Sequence, residues 1–465
     1  MSDVPRPTAV VIGASIGGLL AAAALVEHAD VTVIERDTLP VGPAPRRGVP
    51  QGRHAHLVWS GGVLAFRELL PGFVEELVER GARLVPIMAE MVSRAPNEVW
   101  FRRFTATHHR NLVCSRDLLD GVLRERVLAD PRLTLRQDTT ALGLAGEAAR
   151  VTGVRVRTEG RDGEETLAAD LVVDASGRGS RAPRWLGELG LPEVAEREVN
   201  AGVAYATRLF RAPAGSLELP FPLVNVQANP AKAPGRGGII LPIEDGRWIV
   251  TLSGTRGGEP TGDPAEFTDF ALKLGDPVIG ELIRDAEPLG EVVTTRSTAN
   301  RRRYFEKLRG WPDGFVVTGD AVAGYNPVYG HGITVAAQSA LALGALTGAD
   351  GLARPGTGRR LQRAVTRPVA AAWELAIGQD VRYPGASDRP PNRAERALAA
   401  FVDRAVATGA RNPRALGALL DVMSLEKPAT RLFSPDMLVP MLFGPKRPFL
   451  SRAPLTEEEL KSLTD

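Results

Sequence analysis

One cysteine, Cys114, stands in the 465 residues. A single thiol excludes an intramolecular disulfide and any cysteine-based metal cluster. That fits a reducing, cytoplasmic location, and the opening "MSDVPRPT" lacks the basic and apolar regions of a signal peptide. Lysine is missing until Lys232, and basic charge is carried mostly by arginine. Charge of one sign is scarce too: the net charge is +2, too small for a field that would gather nucleic acid or an anionic membrane. The apolar run at 16–26 contains Gly17 and Gly18. It falls short of the ~20 residues a membrane span needs, so no span is expected. Internal repeats and low-complexity tracts are not seen.

The composition that remains is that of a globular protein, with 44% hydrophobic and 24% charged residues. At roughly 100–200 residues per domain, the length allows two to four domains. Residues 8–12 read as a buried parallel strand, 16–28 as a helix and 31–35 as a second strand. A Pro-rich loop follows at 39–50. Helical periodicity returns at 60–80, with a break at Pro71-Gly72, and at 115–129. Residues 83–104 suggest strands, 133–175 a strand meander, and 198–257 a strand-rich stretch. Residues 265–285 read as a helix. A buried strand at 314–322 ends in Gly-Asp, and helices follow near 332–347 and 358–379. The expected class is α+β: a discontinuous, Rossmann-like α/β nucleotide domain (1–75, 106–190 and 286–380) with an inserted β-sheet substrate domain (76–105 and 191–285). Residues 381–465 form a C-terminal helical region.

The first strand runs into Gly13-Ala14-Ser15-Ile16-Gly17-Gly18, a G-x-G-x-x-G pattern with serine at the second glycine. Gly13 permits the sharp turn, a small residue at Ser15 lets backbone approach a pyrophosphate, and Gly18 lets helix pack closely on strand. The helix N-terminus then offers free N–H groups to the phosphates. Glu35 closes the second strand and suits an acceptor for the ribose hydroxyls of an adenosine. An acid at that place disfavours a 2′-phosphate, so NADP is not expected there. Arg36 is placed against the adenine. In the loop "RRGVPQGRHAHLVWSGG", Arg46 or Arg53 is expected to neutralise pyrophosphate. His54 and His56 offer too few ligands for zinc, which takes roughly three to four, so no metal is expected.

Three further segments choose the nucleotide. "CSRDLLDGVL" holds Arg116, "LVVDASGRGSRAPRWLG" holds Asp174 and Gly177, and "GFVVTGDAVAGYNPVYGHGITVAAQSA" holds Asp320, Pro327, Gly330 and Gly332. Together with the glycine turn, in this order, they resemble the group A flavin monooxygenases, the p-hydroxybenzoate hydroxylase-like superfamily. The resemblance spans most of residues 1–380 and implies bound FAD. It implies that Asp320 meets the ribityl chain, Arg116 the flavin side, and Ala141 the adenine. It places Pro327 and the Gly330–Gly332 turn along the isoalloxazine. "DASG" departs from the family's Asp-Gly pair, which leaves two electron sources open, NAD(P)H directly or a separate flavin reductase.

"GVPQGRHAHLVWSGG", "VAYATRLFRAP", "PIEDGRWIVTLSGTRGGEP" and "NPVYGHG" narrow the likeness. They resemble the FAD epoxidases of polyether ionophore (lasalocid- and monensin-type) antibiotic biosynthesis. The implied reaction is epoxidation of alkenes in a linear polyketide or polyene, free or carrier-protein-bound. O2 would be the co-substrate and a flavin C4a-hydroperoxide the oxidant. In such chemistry the cofactor reacts while the protein positions and excludes water, and no catalytic side chain is expected. The substrate pocket is expected between flavin and the 198–285 sheet, with Trp59, Tyr205, Phe210 and Trp248 as candidates. A different class stays open: a non-redox cyclase that keeps FAD structurally and forms a decalin by [4+2] cycloaddition. A flavin-carrying reductase of isoprenoid double bonds is a third.

Overall fold

Five short apolar strands lie in the order Phe315–Val317, Leu171–Asp174, Thr8–Ile12, Asp30–Ile34 and Leu133–Arg136. Every pairing among them is parallel. Val10, Val11, Val172, Val173 and Val316 are buried, as a parallel sheet covered on both faces requires. The sheet thus gathers strands from distant parts of the chain. The coordinates are a computed structural model describing residues 6–463 apart from 106, 297, 353, 445 and 446. The expected domain limit at 106 lies outside the described residues.

The helix after the first strand, Ile16–Leu25, stops three residues before the expected 28. It is apolar around its circumference and nearly all buried, as a helix enclosed by other elements must be. It packs on the long helix Gly332–Asp350. Their contact is backbone to backbone: a Cβ at Gly344 would sit 2.9 Å from the Ala24 carbonyl oxygen. Gly332–Asp350 is long and apolar enough to cross a membrane, but 56% of that window is buried inside the protein, the burial of a core helix.

The second sheet has six strands in the order Pro288–Thr295, Ala204–Arg211, Arg247–Gly254, Arg236–Ile243, Leu223–Val226 and Met91–Arg94. Strand Pro288–Thr295 carries it past residue 285, where the sequence reading ended the insert. Alternation gives each strand two faces. Phe210, opposite Trp248 in register, shares a buried cluster with Phe221, Phe267 and Ile279. Tyr205 and Thr207 alternate onto the other face, toward the nucleotide sheet. The expected helix 265–285 is two, Phe267–Leu272 and Val278–Ile283, because Pro277 cannot continue the first.

The C-terminal helices Arg393–Gly409, Pro413–Met423 and Pro435–Phe443 pack with Trp59, Ile87 and Met88. A capping box of Asn392 and Glu395 starts the first of them. The turn after Met423 rests on the long helix. His331 Nε2 donates to the Met423 carbonyl at 3.0 Å, and Gln338 Nε2 to that of Leu425 at 2.8 Å. The fold is the expected mixed α/β arrangement, a Rossmann-like parallel sheet with added sheets and C-terminal helices.

Candidate cofactor and active site

A cleft of about 530 Å³ runs along the C-terminal ends of the parallel strands, where open α/β sheets bind ligands. Gly13, Ser15, Ile16 and Gly17 form its floor, with Glu35, Arg36 and Ala141 at one end. Asp320, Pro327, Gly330 and Gly332 line the other, and Arg46 and Arg116 also border the cleft.

Two glycines of the turn, Gly13 and Gly18, have no room for a side chain. Gly13 has φ +98°, and a Cβ there would lie 2.8 Å from the Ala175 carbonyl oxygen. A Cβ at Gly18 would lie 1.8 Å from the Gly13 carbonyl oxygen. Gly18 therefore acts beneath the cleft and does not line it. Ser15 precedes the helix without capping it through its side chain, so the helix's first N–H groups stay available to phosphate.

The end at Glu35 is held by ionic contacts. Glu35 Oε2 accepts from the Ala14 N–H at 2.9 Å and from Arg46 Nη2 at 2.9 Å. Arg46 Nη1 donates to the Ala14 carbonyl at 2.7 Å. Both charged side chains are nearly inaccessible, at 5% and 8% exposure. Arg46 therefore pairs with the acid instead of standing free for pyrophosphate. Ala14 is the buried link between them and does not line the cleft. Arg53 is exposed and stands outside the cleft.

Arg116 is buried at the start of helix Arg116–Leu128. Its Nε donates to Asp120 Oδ1 at 2.7 Å, and its Nη2 reaches Ser15 Oγ at 3.3 Å. The cation thereby ties the glycine turn to a second helix while facing the cleft. Asp174 is fully buried and accepts from Ser176 N, Ser176 Oγ and Ser180 Oγ at 2.5–2.9 Å. Burial pushes its pKa up, against the pull of these serine hydrogen bonds. It closes the 174–180 turn from below, and Ala175–Gly179 line the cleft in its place.

Asp320 opens onto the cleft 3.9 Å from Arg178 Nε. Desolvation by its surroundings raises its pKa, opposed by the charges of Arg178 and Arg116. Arg178 is itself fixed by the carbonyls of Tyr325 and Ala299. Next to Asp320, the turn Asn326–Gly330 is braced from three sides. Tyr205 Oη donates to Asn326 Oδ1 at 2.6 Å, and Asn326 Nδ2 donates to Asp380 Oδ2 at 3.1 Å. Asp380 also accepts from Tyr329 Oη at 2.5 Å and Asn300 Nδ2 at 2.6 Å. Trp59 Nε1 donates to the Tyr329 carbonyl at 2.9 Å. Gly330 adopts φ +65°, and a Cβ there would press on Leu57 and Trp59. Helix Gly332–Asp350 then begins at the cleft without a side-chain cap.

None of the four expected substrate aromatics lines the cleft. Phe210 and Trp248 belong to the core on the far face of their sheet. Tyr205 and Trp59 touch the cleft's wall from behind, as braces of the 326–330 turn. His56, Leu57, Thr139, Thr140, Thr295, Tyr325 and Asn326 are lining residues that the sequence reading passed over. "NPVYGHG" already contained Asn326, its parent segment Tyr325, and "GVPQGRHAHLVWSGG" His56 and Leu57; Thr139, Thr140 and Thr295 arrive through long-range packing. His54 and His56 do not converge as metal ligands. His54 Nδ1 meets Thr207 Oγ1 at 2.7 Å, and His56 Nδ1 donates to the His54 carbonyl at 2.8 Å. Burial lowers the His56 pKa to about 3, helped by the Arg116 charge, and lowers those of His54 and His331 to about 4.

The glycine cradle, the uncapped helix ends and the buried acid of a strand–turn–helix fit a dinucleotide. They define a flavin-type nucleotide protein, and comparison with known proteins identifies it further: the FAD binding domain family matches residues 6–351. The chain belongs to that family and has the FAD-dependent monooxygenase-type fold. It is 33% identical over 430 residues to protein Rv3254 of Mycobacterium tuberculosis, covering 88% of this chain and 87% of that one. Among solved structures it resembles the flavin-dependent brominase Bmp2 (12% identity, TM-score 0.65, 90% of this chain and 94% of that one). It also resembles PqsL of Pseudomonas aeruginosa, a probable FAD-dependent monooxygenase (18%, 0.59, 81% and 98%). A third likeness is to PyrE3, a Diels-Alderase of pyrroindomycin biosynthesis (16%, 0.60, 90% and 80%). At such identities these three show the fold alone.

Proposed function

We propose that this chain is an FAD-dependent monooxygenase that epoxidises an alkene of a linear polyketide or polyene in polyether-type secondary metabolism. The carrying observation is the uncapped N-terminus of helix Gly332–Asp350, which opens on the cleft beside the braced 326–330 turn. A positive helix end there favours a cofactor that takes on negative charge when reduced. FAD, when bound, supplies the activation of O2. Residues 13–18 and the N-terminus of Ile16–Leu25 would hold its pyrophosphate, and Glu35 its adenosine. Asp320 would accept from the ribityl chain, and the 326–332 segment would support the ring.

The chain's own residues position and keep protons away. His56 and His331 are held neutral by burial, so neither is a proton donor at neutral pH. Leu57, Pro327 and Tyr325 give the ring end an apolar lining suited to a hydrocarbon substrate. NAD(P)H directly, or a separate flavin reductase, supplies electrons; rapid mixing of the protein with NADPH and with NADH, each without a reductase, distinguishes them. The likeness to PyrE3 favours one second reading, a cyclase that forms a decalin by [4+2] cycloaddition without redox change. Incubation of a polyene with enzyme and reductant under labelled O2 separates the two. One labelled oxygen atom per product supports epoxidation; an isomeric cyclised product made equally well under nitrogen sinks it.

A further inference from the structure

Away from the cleft, His108, His109, Asp421 and Glu426 meet between the segment before strand Arg110–Val113 and the end of helix Pro413–Met423. One donor atom from each lies within 4.8 Å of the others. His108 Nε2 stands 2.9 Å from Glu426 Oε2, and His109 Nε2 stands 3.2 Å from Asp421 Oδ1. Zinc bound at ~2.0–2.2 Å in a tetrahedron separates its ligands by about 3.3 Å, so both pairs already have the spacing of a tetrahedral edge. The remaining pairs, at no more than 4.8 Å, need a contraction of about 1.5 Å or less; the mostly exposed His108 side chain is free to follow it.

The site is built rather than incidental. Asp421 and Glu426 are locked in one turn, since the Glu426 and Lys427 N–H groups both donate to the Asp421 carbonyl. The side chains of His109, Asp421 and Glu426 are 2%, 4% and 9% exposed. Among the described residues, Glu426 Oε1 is buried with no hydrogen-bond partner, an arrangement that costs free energy unless something charged or polar satisfies it. His109 Nδ1 rests 2.9 Å from Thr107 Oγ1, which holds the ring with Nε2 toward the cluster. Metal-ligating imidazoles are oriented in this way through the second nitrogen. Asp421 Oδ2 takes Arg431 Nε at 2.7 Å and Lys427 Nζ at 3.1 Å, which turns Oδ1 inward. Arg431 is balanced in turn by Asp436 at 2.7 Å.

We propose that His108, His109, Asp421 and Glu426 form a structural site for a divalent cation of the zinc class. Two imidazoles and two carboxylates are nitrogen and oxygen donors of the kind such an ion takes. The ion would fasten the turn 421–427 to the segment before Arg110–Val113. That turn also takes hydrogen bonds from His331 and Gln338 of the long helix and from the Gly61 N–H. The site thus ties the C-terminal helices to the start of the helix that opens on the cleft.

The test uses the full chain, stripped with a chelator and then titrated with Zn2+, with metal content measured after gel filtration. The wild type retains one zinc per chain, and Co2+ in its place gives a tetrahedral ligand-field spectrum. His109→Ala and Glu426→Gln bind at least tenfold more weakly and lose that spectrum. Chelation lowers the wild-type melting temperature but leaves that of Glu426→Gln unchanged. Retained FAD in each variant shows that it has folded, and the conservative Asp421→Asn stands in for any that has not. A wild type that retains no zinc, or variants that retain as much as the wild type, overturns the proposal and leaves an ion-pair cluster.

Discussion

The two ends of the cleft are built by different means. The ionic frame of the adenosine end is made from neighbours in sequence. The glycine turn, Ala14, Glu35 and Arg46 all lie within the first 46 residues, and one buried ion pair closes the set. The ring end is made from distant segments. Tyr205, Asn300, Asn326, Tyr329 and Asp380 converge on the 326–330 turn with no cation in that hydrogen-bonded set. The difference teaches which end each kind of change should damage. Steric and charge changes at the first end should cost binding outright. Changes in the network behind the second should alter how rigidly the ring is held.

The largest effect is expected at Gly18. A valine there must displace the Gly13 carbonyl, 1.8 Å from its Cβ, so the phosphate cradle itself is pushed out of place on top of the cost of overpacking. Gly18→Val should yield protein without flavin, measured as absorbance per chain. Arg46→Met comes next. It leaves Glu35 buried without its partner, worth roughly 3 kcal/mol when a buried pair is broken. FAD affinity and the melting temperature should both fall, and equal stability would show that the adenosine end does not depend on the pair.

Asp380→Ala probes the other end. It strands the donors of Tyr329, Asn300 and Asn326, at about 1–3 kcal/mol for an unsatisfied buried group. FAD affinity should fall less than in Arg46→Met, while flavin fluorescence should rise as the ring loosens. A larger loss of affinity than in Arg46→Met would invert the comparison. The pH profile separates the ends in another way. Burial holds His331 at about 4 against an ordinary 6.5, so the unfolded chain binds more protons in that window. Stability is therefore full above pH 6.5 and falls as pH drops toward about 4. His331→Gln should flatten that slope in thermal melts; an unchanged slope would acquit this imidazole. The smallest effect is expected for Asp320→Ala, one lost hydrogen bond to the cofactor at about 0.5–1.5 kcal/mol, seen as a several-fold weaker FAD Kd.

The same contrast decides what was legible in the sequence. The glycine turn and Glu35 are readable because their spacing is set by one strand–turn–helix–strand unit. The parallel sheet follows from apolar runs, and the two long helices before residue 380 from their apolar periodicity. Tyr205 and Phe210 look alike as strand aromatics. Only pairing and alternation show that one reaches Asn326 and the other enters the core beside Phe267. Arg53 and Arg46 sit in one loop, and only the fold turns Arg46 inward to Glu35. Asp380 lies just past the expected helix 358–379 and draws no notice there, because its partners are 51–80 residues away. His109 and Asp421 are farther apart still, at 312 residues, beyond any spacing rule.

The most direct test of the central claim is a flavin titration. Purified chain, freed of cofactor and titrated with FAD, FMN and NADP, is followed by flavin fluorescence quenching and by retention on gel filtration. The account predicts one FAD bound per chain, with FMN failing to compete because it lacks the adenosine and NADP because Glu35 disfavours its 2′-phosphate. A chain that takes up no FAD, or binds NADP in its place, would contradict it.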